Sequence, residues 1–170
     1  PRGVVHARGL WHRAVHVWVF TGDGRVYVQQ RGAGKDINPE RWDVSVGEHL
    51  QPGEDYAAAA RRGVREELGI EAGELAPVGD VRAVCVERPE QGIHDRELQQ
   101  AFRAVHDDAV APDADELADL QLVDCGRLRA WLAERPDDFP PGFHRDVADL
   151  ELLREAGCAP QRSAWPTASR

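Results

Sequence analysis

The chain has 170 residues, the usual size of one domain with a sizeable core. Apolar residues make up 42% and charged residues 30%, which excludes wholesale disorder, and the net charge of −9 excludes a general basic surface for duplex nucleic acid or anionic membranes. An anionic small molecule stays open as a ligand, provided that a local pocket of Arg and Lys or a bound cation receives it. Cys85, Cys125 and Cys158 are far apart, odd in number and lack a C-x-x-C, which speaks against a disulfide framework or structural zinc and for a reducing compartment. No signal peptide is visible, and the longest apolar run, Ala14 to Phe20, is interrupted by His16 and too short to span a bilayer. The expected location is cytoplasmic, with no membrane partner.

In chain order, "HRAVHVWVFTGDGRVYVQQR" predicts a β-hairpin, with strands over Arg13–Thr21 and Arg25–Arg31 about a Gly-Asp-Gly turn. "GAGKDINPERW" is a polar loop, and a short strand over Asp43–Val46 leads into the loop "GEHLQPGE". A helix follows, with Asp55 as N-cap, a buried stripe of Ala57, Ala60, Val64 and Leu68, and Gly69 as its stop. Strands are predicted over Ala76–Glu87, Leu98–Val105 and Leu117–Val123, the first two joined by "RPEQGIHDRE". "CGRLRAWLAER" is a helix, "PDDFPPGF" a turn, and His144–Ala156 a last amphipathic helix. One domain over 1–156 with a loose tail over 157–170 is the expected division, of mixed α/β class.

The helix in "GEDYAAAARRGVREELGI", Gly53 to Ile70, ends in two adjacent carboxylates, Glu66 and Glu67, with Gly63 one turn before both. Negative charge is disfavoured at a helix C-terminus, so the doubled acid asks for a reason. Hard divalent ions such as Mg²⁺ take carboxylate oxygens and leave room for phosphate. Arg62 stands four residues before Glu66 and is placed to pair with it. By themselves these residues leave open a solvated helix end as well as a metal site.

Glu54, Arg62, Val64, Glu66, Glu67, Gly69 and Ile70 stand in register with G-x5-E-x7-R-E-U-x-E-E-x-G-U, where U is aliphatic. The stretch thus resembles the Nudix box of diphosphate hydrolases. That resemblance implies an α/β/α sandwich with a mixed sheet, and Mg²⁺ or Mn²⁺ held by Glu66 and Glu67 with Glu54 in support. Two box positions depart: Glu48 replaces the opening glycine, with Gly47 before it, and Gly63 replaces the first Glu after Arg. A mid-helix glycine costs about 1 kcal/mol against Ala, so a close crossing of the preceding loop is one explanation. The sharper one links the departures, with Glu48 projecting into the notch at Gly63.

"LWHRAVHVWVF…QQRGAGKDINPERWDVSVGEH" is similar to the isopentenyl diphosphate isomerase branch of the same fold. That similarity implies a diphosphate clamp of Arg31 and Lys35, alongside Arg62 on the helix. It also implies a metal cage of His12, His49, Asp95 and Glu97, with Gly47 among the metal positions. Gly47 stands where those isomerases carry a catalytic cysteine, which makes hydrolysis of a small nucleoside, sugar or prenyl diphosphate the leading expectation. An isomerase-like enzyme or a binding module without catalysis are the alternatives. Glu48, Glu97 and Glu67, with Glu66 beside them, are the catalytic candidates, and Trp11, Trp18, Trp42 and Phe102 the candidates for stacking on the substrate. Nudix proteins often form homodimers, yet no exposed apolar stripe marks an interface in this sequence.

Overall fold

Alternation along the first strand sends successive side chains to opposite faces, so one strand feeds two cores. Trp18 and Phe20 enter one core, and Val15, Val17 and Val19 the other. The structure is a computed structural model that describes Val5 and residues 8–35, 37–88, 93–114 and 117–153. Its elements are β1 (Trp11–Phe20), β2 (Arg25–Arg31), β3 (Trp42–Asp43), β4 (Val46–His49), α1 (Tyr56–Leu68), β5 (Ala76–Arg88), β6 (Ile93–Val105), β7 (Leu117–Asp124), α2 (Cys125–Glu134), a 3₁₀ turn (Pro136–Asp138) and α3 (Pro141–Asp149).

The sheet runs β3-β2-β1-β6-β5, with β4 also on β1 and β7 on β2. β1 and β6 are parallel; the other pairs are antiparallel. Leu128 of α2 and Phe143 of α3 cover one face with Trp18 and Phe20, while Ala59, Ala60, Val64 and Leu68 of α1 cover the other. This is the α/β/α sandwich with a mixed sheet that the sequence led us to expect.

Several local expectations change. The β1–β2 turn forms, with Thr21 N–H donating to Arg25 at 2.8 Å, but the strands share only the register pair Phe20↔Val26. They splay because β1 is claimed by β4 and β6, and β2 by β3 and β7. The strand expected over Asp43–Val46 divides into β3 and β4, and Gly47, Glu48 and His49, expected in a loop, belong to β4. β6 begins at Ile93, which puts Asp95 and Glu97 on a strand. On α1 Ala57 faces solvent and Ala59 is buried in its place, together with Gly63 and Glu67. The last helix starts at Pro141, whose missing N–H costs nothing at a first helical position, and stops at Asp149 before Glu151 at φ 52°. The expected tail over 157–170 lies outside the described residues.

Cys85 is free and exposed. None of the described helices is long and apolar enough to cross a membrane.

Candidate active site

α1 is fixed at both ends by local chemistry. Asp55 accepts the Ala58 N–H at 2.8 Å, and Gly69, at φ 66°, caps the other end in the left-handed conformation that favours glycine. From this helix Arg62 reaches back under β4. Its Nε and Nη2 bind both oxygens of Glu54 at 2.9 and 3.0 Å, and Nη1 binds Glu48 at 2.8 Å and Glu66 at 3.1 Å. Nη2 also donates to the carbonyl of His49 at 2.9 Å. Glu54, then Glu48 and Glu66, hold the guanidinium firmly charged, and Arg62 in turn holds the Glu54 carboxyl below its ordinary range. Arg62 is thus the tie that gathers three acids rather than an open substrate contact, and Glu54 is turned to Arg62 and to the Gln51 N–H, away from the cavities below.

Beside α1 lies a cleft of about 250 Å³ where Arg31 and Lys35 meet Glu48, Glu66, Glu67 and Asp113. Glu67, only 8% exposed, accepts a hydrogen bond from Gln29 at 3.2 Å. Arg31 is braced by the carbonyl of Ile37 at 3.0 Å and by Asp43 at 3.2 Å. A smaller cavity of about 80 Å³ shares Arg31, Gly47 and Glu48 with the cleft and is otherwise lined by aliphatic groups such as Val84, Val86 and Pro141 and by as many polar ones, among them His16, Asp43 and Gln99. No aromatic side chain other than histidine lines either cavity among the described residues. Trp18 and Phe102 are core, Trp42 packs on Trp131 with centroids 5.2 Å apart, and Trp11 is half exposed, so none of the stacking candidates faces the cleft.

His49 and Glu97 line the smaller cavity, and His12 joins them. One ligand atom from each of His12, His49 and Glu97 lies within 4.8 Å of the others, and Glu97 Oε1 is 3.3 Å from His49 Nε2 and 3.6 Å from His12 Nε2. Asp95 is 3.6 Å from the same His12 nitrogen. His12 Nδ1 is 3.0 Å from the Leu10 carbonyl, which places its proton there and turns the Nε2 lone pair to the cluster. Ligands on bonds of about 2.1 Å stand roughly 3.0–3.4 Å apart, so the two imidazoles and the carboxylate could hold a divalent ion once drawn slightly together. Burial raises Glu97, but the neighbouring His12 and His49 outweigh it and hold the carboxyl well below its ordinary range. The acids of α1 make no such group: among the described residues Glu54, Glu66 and Glu67 do not converge, because Arg62 draws Glu54 and Glu66 to itself.

The model of the NUDIX domain matches residues 10–143. The chain belongs to the Nudix family. Among its relatives is isopentenyl-diphosphate Delta-isomerase 1 of Aromatoleum aromaticum, 37% identical over 138 residues, which are 80% of this chain and 75% of that one. Of solved structures, the MutT protein from Methanosarcina mazei Go1 is similar at a TM-score of 0.63 and 20% identity, over 84% of this chain and 92% of that one. The Nudix domain of Shewanella oneidensis NrtR, complexed with ADP ribose, is similar at 0.62 and 12% identity, over 86% of this chain and 88% of that one.

In this Nudix chain the two departures from the box meet in space. A Cβ on Gly63 would lie 2.8 Å from Val46 Cγ1 and 3.1 Å from Glu48 Cβ, so β4 crosses the helix too closely for any side chain. Glu48 fills the notch and turns its carboxylate to Arg62 and to the His49 N–H, at 2.7 Å for the latter. The close crossing accounts for the glycine, and the Glu48 carboxylate is committed to Arg62 and the backbone. The sequence reading missed Asp113, which enters the cleft from the loop before β7. It also passed over His16, whose only signal was a polar residue inside an apolar run.

His16 Nδ1 is 2.7 Å from Asp146 Oδ2, and its Nε2 is 3.0 Å from Gln99 Nε2. Two influences compete at this imidazole. Burial lowers it, and Asp146 outweighs burial and pushes it up to about 9. Gln99, however, presents an N–H to Nε2, and a second proton there would set two donors face to face. The hydrogen-bond arrangement is that of neutral His16 with its proton on Nδ1.

Proposed function

We propose that this chain is a divalent-metal-dependent Nudix hydrolase that cleaves a small diphosphate. The observation that carries this reading is the cleft in which Arg31 and Lys35 oppose four acids, with glycine, not cysteine, at position 47 on the shared wall. Two cations in one cavity suit the non-bridging oxygens of a diphosphate, Arg31 by its planar fork and Lys35 as a point charge. His12, His49 and Glu97, with Asp95 beside them, would hold Mg²⁺ or Mn²⁺ on one side of the wall, and a further ion on Glu66 and Glu67 would require Glu66 to leave Arg62. Such ions supply the charge neutralisation and Lewis acidity that phosphoryl transfer to water needs. Of the expected proton acceptors, Glu48 and Glu67 line the cleft, braced by Arg62 and Gln29, whereas Glu97 lines only the smaller cavity. The base is therefore drawn from Glu48 and Glu67. The smaller cavity takes the body of the substrate, and its size favours a small group over a nucleoside.

A second reading is isomerase-like chemistry on a prenyl diphosphate, favoured by the His12–His49–Glu97 cluster and by relatives bearing that name. Incubation with Mg²⁺ or Mn²⁺ and nucleoside, sugar and prenyl diphosphates, beside Glu67→Gln, separates the readings. Phosphate or monophosphate release that the substitution abolishes supports hydrolysis. An isomerised allylic product supports the second reading. Binding without turnover would leave a ligand-binding module.

A further inference from the structure

Four side chains from four elements close a ring behind the histidine cluster. Asp146 of α3, fully buried, holds His16 of β1 through Oδ2 and Arg82 of β5 through Oδ1. Arg82 Nη2 donates to Gln99 Oε1 at 3.1 Å, and Gln99 Nε2 faces His16 Nε2 at 3.0 Å. The second hydrogen on Gln99 Nε2 goes to Glu97 Oε2 at 3.2 Å. A flipped amide would set its nitrogen against the donor-only guanidinium and its carbonyl against a carboxylate, so the ring leaves Gln99 one orientation. Glu97 consequently has a divided carboxylate. Oε2 is held by Gln99, and Oε1 is the oxygen turned to His12 and His49.

We propose that Gln99 is a positioning residue for the Glu97 carboxylate, fixed by a ring that Asp146 closes, so that the last helix tunes the affinity and geometry of the His12–His49–Glu97 centre. The inference rests on the metal centre proposed above but not on what the enzyme does with its substrate. Gln99 is 2% exposed, so its amide is not exchanged for water. Hydrogen-bonded partners of ligating carboxylates commonly set metal affinity by about 10–100-fold.

The test is titration of the full chain with Mn²⁺, read by the paramagnetic signal of the free ion, and with Co²⁺, read by its visible absorption. Gln99→Leu and Asp146→Asn are expected to weaken Mn²⁺ binding by about 10–100-fold and to shift the Co²⁺ bands. His12→Ala should abolish the same binding. Val123→Ala, a core truncation on the α2–α3 side, should lower the melting temperature and leave both signals alone. If Asp146→Asn does not fold, Gln99→Leu decides alone. Wild-type affinity in Gln99→Leu overturns the proposal, as does an equal loss in Val123→Ala or binding that survives His12→Ala. Because no diphosphate is present, a chain that hydrolyses nothing gives the same reading.

Discussion

The Cβ of Glu48 lies 3.1 Å from where a Cβ on Gly63 would be, so the strand's acid occupies the space that the helix leaves bare. Arg62 binds the carboxylate of that strand residue at 2.8 Å.

Gly63→Ala should therefore destabilise the protein by about 1–3 kcal/mol through overpacking, despite a helix-propensity gain of about 1 kcal/mol. Gly63→Glu should cost more. The double variant Glu48→Gly/Gly63→Glu should recover part of the loss but not all, since Val46 Cγ1 still stands 2.8 Å from the new Cβ. Urea denaturation of the four chains measures this; a double variant no better than Gly63→Glu would refute the exchange.

Glu54 acts through Arg62. Glu54→Gln is expected to cost about 1–3 kcal/mol of stability, the usual loss when a charged hydrogen-bonded partner is removed. Its Mn²⁺ affinity should stay within about threefold of wild type. A large loss of affinity with unchanged stability would return Glu54 to the list of metal ligands.

Gly47 has open space around it, with His16 Cδ2 at 4.0 Å as the only neighbour of an added Cβ. Gly47→Cys should fold with stability within about 0.5–1 kcal/mol of wild type. Its thiol would stand on the wall between the two cavities. If an allylic product from a prenyl diphosphate appears in this variant and not in wild type, position 47 separates the two chemistries. Isomerisation by the wild-type chain would remove the hydrolase reading.

Asp146 supplies the pH dependence. Burial raises this carboxyl, but the hydrogen bond from His16 and the pairing with Arg82 outweigh it and lower it from 3.8. A depressed folded value contributes stability that is present above about pH 4 and is lost as pH falls through the folded value. Wild type should therefore lose stability more steeply below pH 4 than Asp146→Asn, when chemical denaturation is compared between about pH 6 and 3. Parallel curves would show that Asp146 carries no such coupling.

Much of the local structure was legible in the residues. Asp55 and Gly69 announced the ends of α1, because caps answer to orphaned backbone groups a few residues away. Arg31, Lys35, Glu48, Glu66 and Glu67 reach one cleft as the box and the loop before it led us to expect. Ala57 was misplaced by one position because a stripe of near-identical alanines does not mark which side the sheet covers.

By itself, then, the sequence determined the family, the main helix with its acids, and most strand cores, since periodicity and turn chemistry act over a few residues. Tertiary structure alone decided that β1 lies parallel to β6 and antiparallel to β4, the pairing through which the expected group of His12, Glu97 and His49 comes together. It also decided that Asp146, 130 residues after His16, would close a ring behind them. Pairings of that sequence separation depend on which strands compete for which neighbours, and no local pattern records the outcome.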